Sequence, residues 1–257
     1  MSGQIEADHE EDDETDSYDV LIIGGGVSGL SAGVFTARAG LDTLIVNHEG
    51  SILRRNAQLE NYLGFPAGVN SRLFLDMAEE QARRAGCEFH EGQIERLEQV
   101  NGSFESHLEN DELLTAKQVI AASWSDSSYL EALDIDLEQR GSKQFVLGEG
   151  DGRTSVEGLY AAGRLADQYH QTIVSAGHGA QVAITLIHDS DTPFYHDWVA
   201  PEGYFTDRGR DVPPGIEEIT EDERQQRERK SIETMRQYFD EPRVDSPVPH
   251  PSLTDDN

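Results

Sequence analysis

The stretch that most limits what this chain can become runs from Tyr18 to Gly40. Asp19 to Ile23 read as a buried strand with no polar interruption after Asp19. Gly24, Gly25 and Gly26 then break the strand, and Val27, Leu30, Val34 and Ala37 recur at helical spacing. Strand, glycine turn and helix are the context that gives Gly24-x-Gly26-x-x-Gly29 a meaning. Gly24 permits the tight turn, Gly26 lets the backbone approach a pyrophosphate, and Gly29 lets the helix pack closely on the strand. The free N–H groups of the helix's first turn favour the phosphate charge. The pattern predicts a dinucleotide site in an α/β fold. On these residues alone the ligand is either NAD(P) or FAD.

The 257 residues suffice for one or two domains. They carry 50 acidic against 20 basic residues, a formal net charge of -30, and only three lysines, Lys117, Lys143 and Lys230. Such a charge repels phosphate backbones and excludes nucleic acid as a partner. Acid-rich, lysine-poor composition resembles that of proteins from extremely halophilic archaea. The expectation that follows is loss of the fold or of the cofactor below molar salt. Cys87 is the only cysteine. It excludes an internal disulfide, a CxxC dithiol and a cysteine-based metal site, and reads as a small buried hydrophobe. No apolar run is long enough for a membrane helix. The acidic N-terminus does not read as a signal peptide, so the expectation is a cytoplasmic protein with neither membrane nor metal.

Residues 1–17 read as a disordered acidic tail. Residues 41–46 form a second strand, and the position where an acid would bind the nucleotide ribose holds Asn47. Arg54 and Arg55 either neutralise cofactor phosphates or pair with neighbouring carboxylates. A helix is predicted over 71–86, capped by Ser71 and stopped by Gly86. A third strand reaches to about residue 99. A hairpin turns at Asn110-Asp111, residues 117–123 make another strand, and residues around 143–162 make a strand pair ending at Leu159–Ala162. A long helix is predicted over 172–188. Residues 193–257 form a C-terminal extension: an aromatic segment, a charged helix opened by the capping box Thr220-Glu221-Asp222-Glu223, and a disordered end.

Four blocks in order, IIGGGVSGLSA, LENYLGFP, VEGLYAAGR and HQTIVSAGHGAQVA, resemble the FAD-binding half of the thioredoxin reductase family over residues 18 to about 188. The resemblance implies a Rossmann-like FAD-binding domain over 18–192: three layers, a mainly parallel sheet and a small β-meander. It implies FAD as cofactor. Gly24, Gly26, Val27, Ser28 and Gly29 would hold the pyrophosphate and Asn47 the ribose side. Asn61 would lie near the flavin, Gly163 and Arg164 at the ribityl–phosphate part, and Gln171 and Thr172 at the ring. Arg164 stands where the family has Asp; it cannot accept from a hydroxyl but can pair with a phosphate.

The resemblance also has gaps. The family inserts an NADPH domain with a CxxC between the strand ending near Ser123 and the strand beginning near Lys143. Here only about twenty residues intervene. The reading is an FAD-dependent oxidoreductase without the dithiol, reduced either by NAD(P)H docking on the flavin face or by a redox partner protein. The alternative is a non-catalytic FAD-binding module with a structural or sensing role. The family's habit of dimerising makes a homodimer the expectation. His170 and His178 are either proton donors near the ring or plain exposed and capping histidines, and no residue is assigned as catalytic. Phe194, Tyr195, Trp198, Tyr204 and Phe205 either cover the flavin or fill a groove away from it.

Overall fold

The computed structural model describes residues 17–253. All of the expected acidic tail except Ser17, and the last four residues, lie outside the described residues. β1 (Ser17–Ile23) leads through the glycine turn into α1 (Val27–Arg38) and β2 (Thr43–Asn47). A short 3-10 helix over 52–55 and a loop precede α2 (Ser71–Ala85). The cap of α2 is Asn70, whose Oδ1 accepts from the N–H groups of Arg72 and Leu73. Ser71, the expected cap, instead lies inside the first turn, and its hydroxyl donates to the Asn56 carbonyl. Gly86 ends the helix in the left-handed region, at φ 115°.

The single strand expected after Cys87 is two strands, β3 (Glu88–Glu91) and β4 (Ile94–Val100). β5 (Ser103–Leu108) turns at Asn110-Asp111 into β6 (Leu113–Ala121). The hairpin arm and the apolar strand, read separately from the sequence, are thus one continuous β6. β7 (Leu137–Arg140) and β8 (Lys143–Val146) pair as an antiparallel hairpin. β9 (Leu159–Ala161) and α3 (Thr172–Asp189) follow. β8 therefore takes β7 as its partner, not the Leu159 strand.

The sheet runs β3-β2-β1-β6, all parallel. β5 and β4 continue antiparallel from the first half of β6, and β9 lies parallel to its second half. Alternation along each strand decides its two faces. Val20, Ile22, Ile45, Ile120 and Tyr160 pack under the helices with Leu30, Phe74, Val182 and Leu186. Leu21, Ile23, Leu44, Val46 and Val119 pack under the β4-β5-β6 meander with Leu97, Phe104 and Leu114. The order is meander, sheet, helices: the three-layer α/β fold the sequence predicts. A side chain of this kind moved out of water contributes roughly 1.5–3 kcal/mol, so a sheet covered on both faces needs no further support.

Beyond α3, β10 (Trp198–Pro201) pairs in parallel with β11 (Ile216–Ile219), and α4 (Glu221–Tyr238) follows. The Glu223 N–H donates to the Thr220 hydroxyl, as the capping box requires. The aromatics of this region meet one another: Trp198 and Tyr204 rings lie 4.6 Å apart, Tyr204 and Phe205 5.0 Å. Arg38 at the end of α1 anchors the segment to Asp197 at 2.6 Å. Where the sequence leaves the end of the chain without partners, residues 243–248 are docked on α2 and the 52–55 helix by ion pairs.

Candidate functional site

Parallel strands leave their C-terminal ends, and the helix N-termini that follow them, on one side of a sheet. Ile23, Val46, Asn47 and Ala122 stand at those ends of β1, β2 and β6 and line one cavity of about 970 Å³. The N-termini of α1 and α3 also open into it, through Gly26, Val27 and Ser28 and through Gln171, Thr172 and Ser175. Neither helix has a side-chain cap or an acid in its first turn. Their N–H groups and positive dipole ends are left for a ligand.

The glycines differ in what they do. Gly24 has φ 117°, and a Cβ there would lie 2.8 Å from the Ala122 carbonyl. A Cβ on Gly29 would fall 2.0 Å from the Gly24 oxygen, so Gly29 is where helix meets turn. A Cβ on Gly26 would meet only the Ser51 hydroxyl, at 3.7 Å; its absence leaves the cradle open. Gly25 has a role the sequence pattern does not show. Its N–H donates to Asn47 Oδ1 at 3.1 Å, and a Cβ there would lie 2.8 Å from Asn47 Cγ. Asn47 lines the cavity; its Oδ1 already accepts from the glycine turn, and its Nδ2 is left to donate to a ligand.

Asn61, Arg164, Gln171 and Thr172 also line the cavity. Asn61 Nδ2 donates to Gln171 Oε1 at 2.9 Å, tying the loop before α2 to the start of α3. Arg164 is engaged elsewhere: its guanidinium lies 5.1 Å from the Trp124 ring and 5.0 Å from that of Phe145, and Nη1 donates to the Gln168 carbonyl at 2.8 Å. Of the two arginines before α2, Arg54 pairs with Asp76, whereas Arg55 lines the cavity.

Gly29 and Gly163 stand one layer behind the wall. Gly163 has φ 68°; a Cβ there would lie 2.7 Å from the Ser28 side chain, and its N–H donates to His178 Nδ1 at 3.0 Å. His178 is buried and does not face the cavity, so it is not a proton donor to a ligand there. Since a backbone N–H can only donate, Nδ1 is the acceptor and the imidazole is neutral. Burial holds its pKa below the ordinary value, against smaller opposing pulls from the Gly150 backbone and Asp151. His170 does line the cavity. None of the five aromatics at 194–205 lines it.

Sequence reasoning missed Trp124, Ser123 and Tyr129, which line the wall beyond β6, with Tyr129 fully buried and its hydroxyl 2.7 Å from the Ser123 Oγ. Their signal was position: they follow the C-terminal end of a parallel strand. Cys87 lies in the core beside Gly33, and burial pushes its thiol up to about 11. No group of His, Cys, Asp and Glu among the described residues is placed to hold a metal.

Residues 19–53, the strand, glycine turn, helix and second strand, match the family model described as an FAD binding domain. The thioredoxin reductase of Rickettsia felis is 26% identical over 174 residues, 66% of this chain and 56% of that protein. That of Aquifex aeolicus is 38% identical over 79 residues, 30% and 24%. That of Listeria monocytogenes is 31% identical over 137 residues, 52% and 42%. This chain therefore spans between about a quarter and just over half the length of these curated relatives. The solved thioredoxin reductase of Gloeobacter violaceus superposes with a TM-score of 0.63 at 14% identity, covering 72% of this chain and 99% of that one.

The fold is that of a thioredoxin reductase-like FAD-binding domain. The cavity suits such a cofactor on its own terms. An open cradle at Gly26 and two uncapped helix N-termini face one space of ligand size.

Proposed function

We propose that the chain is an FAD-dependent oxidoreductase that moves electrons or hydride without a dithiol relay. The observation that carries this reading is the joining of both uncapped helix N-termini to one cavity. FAD, when bound, supplies the redox chemistry. The first-turn N–H groups of α1 and the bare Gly26 receive phosphate, and Arg55 adds charge. Asn61, held by Gln171, fixes the far wall. The N-terminus of α3 at Gln171 and Thr172 favours negative charge arising there. Asn47 braces the turn and offers its Nδ2 to the sugar. The lone cysteine is buried, weakly acidic and away from the cavity, so it takes no part.

Electrons then come from NAD(P)H or from a redox partner protein. A homodimer in the cytoplasm of a salt-requiring archaeon fits the composition and the resemblance. The 18–192 segment is the cofactor domain and 193–257 an addition to it. The second reading, a non-catalytic FAD module, draws on the lack of a CxxC in the sequence and on the short stretch after Ser123 where the resemblance would put an NADPH domain.

The test has two steps. Protein purified in molar salt should show flavin absorption and release FAD on denaturation; a colourless protein that takes up no FAD sinks the assignment. NADH, NADPH and reduced partner proteins are then offered with an artificial acceptor. Turnover that survives Cys87→Ala supports the dithiol-free oxidoreductase. Bound FAD that no donor reduces supports the module.

A further inference from the structure

The end of the described chain is exposed, yet it reaches a buried cation. Arg72, in the first turn of α2, is only 4% exposed. A cation there faces the positive end of the helix dipole and has little water, so it needs acceptors from elsewhere. Nη1 donates to the Asn56 carbonyl at 2.9 Å. Nε donates to the Asp245 carboxylate at 2.9 Å, and Nη2 to the Asp245 backbone oxygen at 3.3 Å. From Asp245 the charges alternate. Arg243 pairs with Asp245 at 2.7 Å and with Asp76, and Asp76 pairs with Arg54 at 3.1 Å. The Val248 N–H closes the loop on the Arg54 carbonyl at 3.1 Å. Both ends of this network land on the 52–56 segment, whose Ile52, Leu53, Arg55 and Asn56 line the cavity.

We infer that residues 243–248 are a clasp on the cofactor: Asp245, through Arg72, positions the 52–56 wall so that bound FAD is retained. This rests on the FAD reading above. Asp245 and Arg72 are positioning residues, since neither lines the cavity. Without the Asp245 carboxylate, Arg72 is a buried cation left with two backbone carbonyls, of Asn56 and of residue 245, and no counter-charge, and the wall that supplies the Asn56 carbonyl must shift or admit water. Arg72 is buried but Asp245 is exposed, so salt screens this pair less than a fully exposed one.

The experiment compares flavin-loaded full-length protein with Asp245→Asn, Asp245→Glu and Glu241→Gln, the last an equal change of charge at an exposed tail position without the network. Asp245→Asn should release FAD about ten-fold faster, Asp245→Glu should recover most of the retention, and Glu241→Gln should match wild type. Hydrogen exchange of the apo protein gives a second readout: the 52–56 amides should exchange faster in Asp245→Asn while those of β1 and β6 stay unchanged. If Asp245→Asn does not fold, Arg243→Gln, which cuts the links to Asp76 and Asp245 but leaves Arg72 on the Asp245 carboxylate, should show the same effects in weaker form. Wild-type release and exchange rates in Asp245→Asn, or equal rates in Asp245→Asn and Glu241→Gln, overturn the clasp. A wild type that binds no FAD overturns the cofactor reading and retention with it, while the exchange result still decides whether the tail holds the wall.

Discussion

Asn47 shows what a single residue can do when the sequence suggests something else. Its place at the end of β2 marks it for the sugar, but its Oδ1 holds the Gly25 N–H. Asn47→Ala should therefore weaken FAD binding by loosening the glycine turn, by about 1 kcal/mol or five-fold. Asn47→Asp keeps the acceptor and should bind FAD at least as well as wild type. Titration of the apo protein with FAD checks both; equal weakening in the two variants would refute the brace. The motif was legible because glycine spacing reports backbone geometry directly. The brace was not, because a side chain 22 residues away completes it. His178 is a similar case. It is neutral when folded, with its pKa lowered by burial, whereas in the unfolded chain it titrates near ~6.5. As pH falls below about 6.5 the unfolded state takes up a proton that the folded state refuses, so this stability is present above that pH and lost beneath it. Asp189, held low by Arg153, acts in the other window, below about pH 4. His178→Gln can still accept from Gly163 and has no proton to take. Its melting temperature should fall less than that of wild type between pH 7.5 and 5.5, and parallel curves would remove His178 from the account.

Elements were readable from the sequence where one period ran unbroken. α1, α2, α3 and the parallel strands show their 3.6- or 2-residue pattern without interruption, and the structure places them accordingly. The reading failed where pairing partners are decided by tertiary contact. Nothing local says that β4 belongs to the far side of the sheet from β3, with only Gly92 and Gln93 between them, nor that β8 takes β7. The β7–β8 hairpin stands in the stretch of chain where the resemblance would put a domain, and Arg164 explains how so short a piece is held. Trp124 and Phe145 rings lie 5.0 Å apart with the guanidinium near both. Arg164→Ala loses these contacts and the bond to Gln168. Together these contribute about 1–2 kcal/mol, or a fall of a few degrees in melting temperature. Cleavage near Gly141 in the hairpin turn should quicken, while FAD affinity changes little. A large loss of FAD affinity with an unchanged hairpin would instead assign Arg164 to a phosphate.

At the scale of the molecule, charge is the dominant fact. With 50 acidic and 20 basic residues, like-charged pairings outnumber unlike ones. Exposed ion pairs such as Arg224 with Glu221 and Glu228 sit in solvent and contribute little. Salt screens both kinds of interaction, but repulsions outnumber attractions, so screening should favour the compact state. The Debye length falls from about 10 Å at 0.1 M to about 3 Å at 1 M. If charge repulsion makes the fold depend on salt, most of any gain in melting temperature should come below about 1 M. It should follow ionic strength whether NaCl or KCl supplies it, and sucrose should not replace it. Continued stabilisation well beyond that range, or equal rescue by sucrose, would point to solute exclusion from the surface and leave charge repulsion a minor cause. The Arg72–Asp245 pair, with its arginine buried, should respond to salt later than fully exposed pairs, so in flavin-loaded protein the cofactor should leave at lower ionic strength only as the fold itself does. FAD loss well ahead of unfolding on dilution would show that the cavity wall depends on screened surface charge instead.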